Sequence, residues 1–95
     1  MATEFETRTT SHFDRVPKKL AKQHPQLANQ YASIIPILQA DPHNRTGRHP
    51  IKKLEGVPPG EGQYRIRARR FRFRYDIEGQ TVFLKACSLR REDTY

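Results

Sequence analysis

Cysteine is almost missing from this 95-residue chain: Cys87 stands alone, so no disulfide can staple the fold from within. A reducing compartment is the natural setting, and the surrounding apolar run marks Cys87 as a core thiol. No apolar stretch approaches the roughly 20 residues that a membrane-spanning helix needs. Met1 to Glu6 carries neither a basic leader nor an apolar segment. The chain therefore reads as having no signal peptide, with the cytoplasm as its expected location. His12, His24, His43 and His49 are scattered, and no cysteine or carboxylate cluster accompanies them. No metal site and no cofactor are expected. Neither an internal repeat nor a low-complexity segment is present, and the length leaves room for one domain, residues 1–95.

Acidic residues are also scarce. Ten Asp and Glu face eighteen Lys and Arg, for a formal charge of +8 and a pI near 10.2. The excess is uneven, since Gln63 to Tyr95 holds nine basic residues against four acidic ones. An anionic partner is implied: nucleic acid, an acidic protein or, least well supported, a membrane surface.

The densest charge lies in Tyr64 to Tyr75, where six arginines in twelve residues alternate with apolar and aromatic side chains. That period puts arginines on one face of a strand and apolar groups on the other. The parity breaks once. Arg65, Arg67 and Arg69 occupy odd positions, whereas Arg70, Arg72 and Arg74 occupy even ones. An unbroken strand would swing half of them into the core, so a tight turn or bulge is expected at Ala68 to Arg70. Two strands follow, Tyr64–Ala68 and Phe71–Ile77, presenting Arg65 and Arg67 beside Arg72 and Arg74. Like charges along and across strands repel. A row of forked donors without interspersed acids is suited to phosphate oxygens.

The rest of the chain supplies the support. Phe5 to Thr10 reads as an edge strand. Phe13, Val16 and Leu20 share a helical face behind Asp14, and His24-Pro25 ends that first helix. Pro25 then opens a second helix with a core face of Leu27, Tyr31, Ile34, Ile35 and Leu38, in which Pro36 should kink the last turn. His43 to Gly62 holds four of the five glycines and reads as mostly loop, with Ile51 and Leu54 as anchors. After a turn at Glu78-Gly79, Thr81–Cys87 is an apolar run suited to the middle of a sheet. The expected fold is α+β, ordered β-α-α-β-β-β, with two amino-terminal helices packed on an antiparallel-rich sheet.

Gln63 to Arg67, then Phe71 to Tyr75, then the apolar strand and Arg90-Arg91-Glu92-Asp93-Thr94-Tyr95, resemble the RelE/ParE superfamily of bacterial type II toxins. Pro50 to Gly56 looks like that family's loop before the hairpin. The resemblance implies a toxin held silent by a cognate antitoxin protein. In the RelE-like branch it implies an mRNA endonuclease (mRNA interferase) that works in the ribosomal A site. There the ribose 2′-hydroxyl attacks the adjacent phosphate and leaves a cyclic phosphate. Carried onto this chain, the basic pair of the first hairpin strand falls on Arg65 and Arg67, the phosphate-stabilising arginine on Arg72 and the terminal tyrosine on Tyr95. The catalytic arginine before that tyrosine aligns with Leu89 without a gap and with Arg90 or Arg91 after a small shift. With Arg90 in that place, the catalytic set is Arg72, Arg90 and Tyr95. Arg65, Arg67, Arg70, Arg74, Arg91, Lys52 and Lys53 form the RNA-binding set.

Charge builds on the nonbridging oxygens and on the departing 5′-oxygen as the phosphate reacts, so fixed cations aimed there lower the barrier. Arg72 suits the first task, Arg90 the second, and Tyr95 stacking or phosphate orientation. A conventional base is missing, because arginine holds its proton at neutral pH. His43, His49, Glu61 and Glu92 are the candidates. Two other functions stay open: a ParE-like inhibitor of DNA gyrase that cuts nothing, and a nontoxic RNA-binding module.

Overall fold

The computed structural model describes residues 4–10, 13, 22 and 24–89. Its sheet is built on the hairpin. Strands β3 (Tyr64–Ala68) and β4 (Phe71–Glu78) pair antiparallel with Ala68 opposite Phe71, so the parity break is resolved by a two-residue turn at Arg69 and Arg70. Arg69 has φ +56, a left-handed conformation that glycine usually supplies at the first central position of a type II′ turn. An arginine occupies it here, at a backbone cost of about 1 kcal/mol.

Five strands complete a mixed sheet, in the order β1-β5-β4-β3-β2. β5 (Thr81–Leu89) pairs antiparallel with β4, and β1 (Glu6–Thr9) adds parallel to β5 as an edge. β5 thus lies inside the sheet, as its apolar run leads one to expect. The second edge is β2 (Ile51–Lys53), antiparallel to β3. It falls in the segment expected to be mostly loop. Three residues are too short to show a period, and β2 is specified by its pairing with β3, with Ile51 opposite Ile66.

Among the described residues there is one helix, α1 (Leu27–Ala40). The expectation of two amino-terminal helices is not met by these residues, and the segment expected to form the first lies outside them apart from Phe13 and Lys22. Leu27, Ile34 and Leu38 are buried in α1, while Tyr31 and Ile35 pack against the core from its margin. Pro36 sits inside the helix without ending it. Its missing N–H frees the Ala32 carbonyl, and both residues are exposed, so water can take up the bond.

α1 covers the face formed by Ile66, Ala68, Phe71, Phe73, Tyr75, Val82, Leu84 and Cys87. Phe73 is fully buried beneath the rings of Phe13 and Tyr31, 6.4 and 6.0 Å away. Each such side chain contributes about 1.5–3 kcal/mol of transfer free energy. Tyr75 is equally buried, stacks on Tyr64 at 5.5 Å, and donates its hydroxyl to the Pro42 carbonyl at 2.7 Å. That bond ties the segment after α1 to the sheet, and burial raises the Tyr75 hydroxyl pKa above its ordinary value.

Candidate nucleic-acid interface

Strand alternation turns the opposite face outward, and register decides what meets on it. Arg67 lies across from Arg72, and Arg65 across from Arg74. Lys52 extends the second row from β2, opposite Arg65. These five cations share one face, as the alternation requires. Arg67 is exposed and Arg65, Arg72 and Arg74 are half-buried. Among the described residues the ion pairs are Arg8–Glu6 and His49–Asp41. Neither involves Arg67, Arg72 or Arg74, so those three charges lack an internal counter-ion there.

Arg72 is the most exacting of them. Its Nε is buried with no hydrogen-bond acceptor among the described residues. A desolvated donor without a partner costs about 1–3 kcal/mol. An incoming phosphate oxygen would supply what the fold omits.

Arg74 is held differently. Its Nε donates to the Gly62 carbonyl at 3.1 Å. Gly62 approaches so closely that a Cβ there would stand 2.9 Å from the Arg74 Cβ, and its φ of +83 favours glycine as well. The amides of Gly62 and Gln63 both donate to the Asp76 carboxylate at 2.9 Å. Asp76 is 3 % exposed. The loop before β3 therefore folds onto this face and borders the cationic rows.

The face changes character along β4. Beyond Arg74 come Asp76, opposite Phe83, and then Glu78, opposite Thr81. Glu6 pairs with Thr81 from β1 and Arg8 with Phe83. The arginine end lies toward the hairpin turn and the acidic end some six residues away, about 20 Å by strand rise. β5 adds one more cation at a bulge. Arg74 pairs with Ala86 but Tyr75 with Leu84, leaving Lys85 without a partner on β4. The Lys85 ammonium stands 5.5 Å from the centre of the Phe83 ring.

The remaining expected site residues separate. Lys53 lies on the α1 side, its ammonium 5.8 Å from the Tyr64 ring, so it does not join the arginine face. Arg70 is exposed in the hairpin turn. Arg90, Arg91 and Tyr95 lie outside the described residues, as does Glu92.

The base candidates that can be placed are elsewhere. His43 packs edge-on against Phe5 and Tyr64, at 5.8 and 6.0 Å, on the α1 side of the sheet. His49 stands 3.8 Å from Asp41 at the end of α1. Glu61 is exposed in the loop. Asp76 is on the right face, but both of its oxygens already accept backbone amides. Cys87 is core, its thiol pushed up to about 11 by burial, which leaves it an inert thiol at neutral pH.

Phe83, Lys85 and Arg8 are the members of this face that the sequence reading did not single out. The signal was there in part. Thr81, Phe83 and Lys85 alternate against buried Val82 and Leu84, but the mostly apolar run reads as a strand covered on both faces. Lys85 keeps the phase of Thr81 and Phe83, and the bulge that follows it shifts the alternation so that Cys87 is buried and Ala86 faces Arg74.

Among the described residues no group of three or more potential metal ligands comes together, and no helix is long and apolar enough to cross a membrane. No family model and no curated relative matches the chain. Among solved structures, it is similar to a chain of the archaeal RelE–RelB complex from Pyrococcus horikoshii OT3. The TM-score is 0.66 at 19 % identity, over 97 % of this chain and 99 % of that one. The fold is therefore RelE-like.

Proposed function

We propose that this chain is the toxin of a type II toxin–antitoxin pair and acts as a metal-independent, ribosome-dependent mRNA endonuclease. The observation that carries the reading is the outward sheet face. Arg65, Arg67, Arg72 and Arg74 meet there in two facing rows, with Arg72 Nε buried and lacking an acceptor among the described residues. The RelE-like fold supports it, and so does the partnership named for the similar archaeal protein, which sits in a complex with RelB. An antitoxin here would cover the cationic face with an acidic or amphipathic segment.

In this reading Arg72 takes the charge that develops on the nonbridging phosphate oxygens as the 2′-hydroxyl attacks. Arg65, Arg67, Arg74 and Lys52 hold flanking phosphates. Arg90 stabilises or protonates the leaving 5′-oxygen, Tyr95 stacks or orients the phosphate, and Arg91 adds a contact. No free base stands beside Arg72 among the described residues. Much of the rate then comes from the ribosome's positioning of the RNA, which is an entropic contribution.

That same lack of a base favours a second reading, a ParE-like gyrase inhibitor that binds and does not cut. Primer extension on mRNA in a purified translation system separates the two. The unmodified protein should give cuts only when ribosomes are present, and Arg72→Ala should give none. Uncut message together with inhibited DNA supercoiling would transfer the assignment to gyrase.

A further inference from the structure

We infer that Phe83 is a stacking platform for one unpaired base of a single-stranded RNA whose backbone follows the arginine rows. The inference rests on the RNA reading above and goes beyond it by assigning a residue that touches the base. Register sets Phe83 opposite Asp76 on β4 and opposite Arg8 on β1. Its ring thus lies on the outward face that carries the arginines, in an interior strand, where the arginine rows give way to Asp76 and Glu78. Unlike Tyr64, Ile77 and Leu89, it does not pack against the core cluster.

A half-buried phenyl ring surrounded by charged side chains needs an explanation, because burial in the core does not provide one. No other aromatic ring lies against it among the described residues. The Lys85 ammonium stands 5.5 Å from the ring centre. In water that contact is weak. A base can take the place of the ammonium, which then has a phosphate to follow.

Spacing fits the same use. Strand geometry puts the Phe83 Cα about 8 Å from that of Arg74 and about 14 Å from that of Arg72. One aromatic platform flanking a basic track is the arrangement that binds single strands with little sequence preference. A duplex keeps its bases stacked inside and offers the ring nothing.

Fluorescence anisotropy with a labelled unstructured RNA oligonucleotide and an RNA duplex of equal length, each across a salt series, tests the assignment. Phe83→Leu should weaken single-strand binding about tenfold at every salt concentration. The slope of log affinity against log salt should not change, because no phosphate contact is lost. Duplex binding should stay at the parent value, and Phe83→Tyr should bind as the parent does. Arg67→Ala, by contrast, should flatten the slope. If Phe83→Leu matches the parent while Arg67→Ala flattens the slope, the platform is overturned and the RNA reading stands. If Phe83→Leu weakens single strand and duplex alike, the ring supports the backbone and the platform is likewise overturned. A parent protein that binds neither RNA overturns both.

Discussion

Arg72→Met should stabilise the protein while it removes the function, because in the free chain this arginine is a liability. Methionine keeps much of the apolar stem that lies on the sheet and deletes the guanidinium. Two costs disappear with it. Arg67 and Arg72 sit directly across from one another, and two charges about 7 Å apart in water repel by about 0.6 kcal/mol. The buried Nε that lacks an acceptor carries a penalty of about 1–3 kcal/mol when fully desolvated, and less here because the residue is half-buried. Lost contacts of the guanidinium plane offset part of the gain. A net stabilisation of about 1 kcal/mol follows, which for a domain of this size raises the melting temperature by about 4–8 °C. Circular dichroism melts at low salt read this directly. If phosphate contact is the function, the same variant should lower the salt slope of single-stranded RNA binding by about 0.7. A melting temperature lowered by more than about 4 °C would mean that Arg72 braces the fold, and the idea of a donor held ready for phosphate would be wrong.

Gly62→Ala should destabilise by about 2 kcal/mol, since φ +83 and a Cβ placed 2.9 Å from the Arg74 Cβ both oppose it; chemical denaturation measures this, and an unchanged midpoint would refute the tight approach. Tyr75→Phe strands the buried Pro42 carbonyl that accepts its hydroxyl at 2.7 Å, and should cost about 1–2 kcal/mol in the same assay. Asp41 supplies a pH dependence. Burial opposes its charge, but the Thr46 hydroxyl, the amides of Arg45 and Thr46, and nearby His49 hold its pKa below the ordinary 3.8. Its contribution is therefore full above the unfolded-state value and is lost as pH falls through the lowered folded one. Asp41→Asn should flatten the fall in stability below about pH 4, and an unaltered acid limb in urea titrations would count against that carboxylate.

The hairpin was the most legible part of the chain, because alternation is a local signal and its single break at Ala68 to Arg70 left one place for the turn. The arginine pairs across β3 and β4 followed from that turn. α1 was legible for the same reason, its buried Leu27, Ile34 and Leu38 recurring at helical spacing despite Pro36. β2 was not, since three residues hold no period and its identity lies in pairing with a strand some thirteen residues away in sequence, as in Lys52 with Arg65. The split of the two lysines, Lys52 toward the arginines and Lys53 toward Tyr64, required knowing that β2 is extended. Lys85 shares the parity of Thr81 and Phe83, but it was hidden because a mostly apolar run reads as a strand covered on both faces. The site's weakest element in sequence terms, the base, stays without a residue on the arginine face among those described.

That missing base and the repelling arginines have one physical consequence. A row of like charges that no described residue neutralises at Arg67, Arg72 or Arg74 destabilises the free protein, and any polyanion that binds only the folded state returns that free energy as affinity. RNA and an acidic antitoxin segment would draw on the same reserve, which makes them competitors for one surface. Cation-driven stabilisation of a phosphate needs no group that titrates near neutrality, because guanidinium stays charged throughout. The rate of such a site is governed by how well the reacting 2′-hydroxyl is aligned, not by the protonation of a side chain. On this face Arg72 can stabilise charge but cannot accept a proton, so cutting would depend on alignment imposed from outside the chain, and free RNA held on the same arginines would be bound without being cleaved.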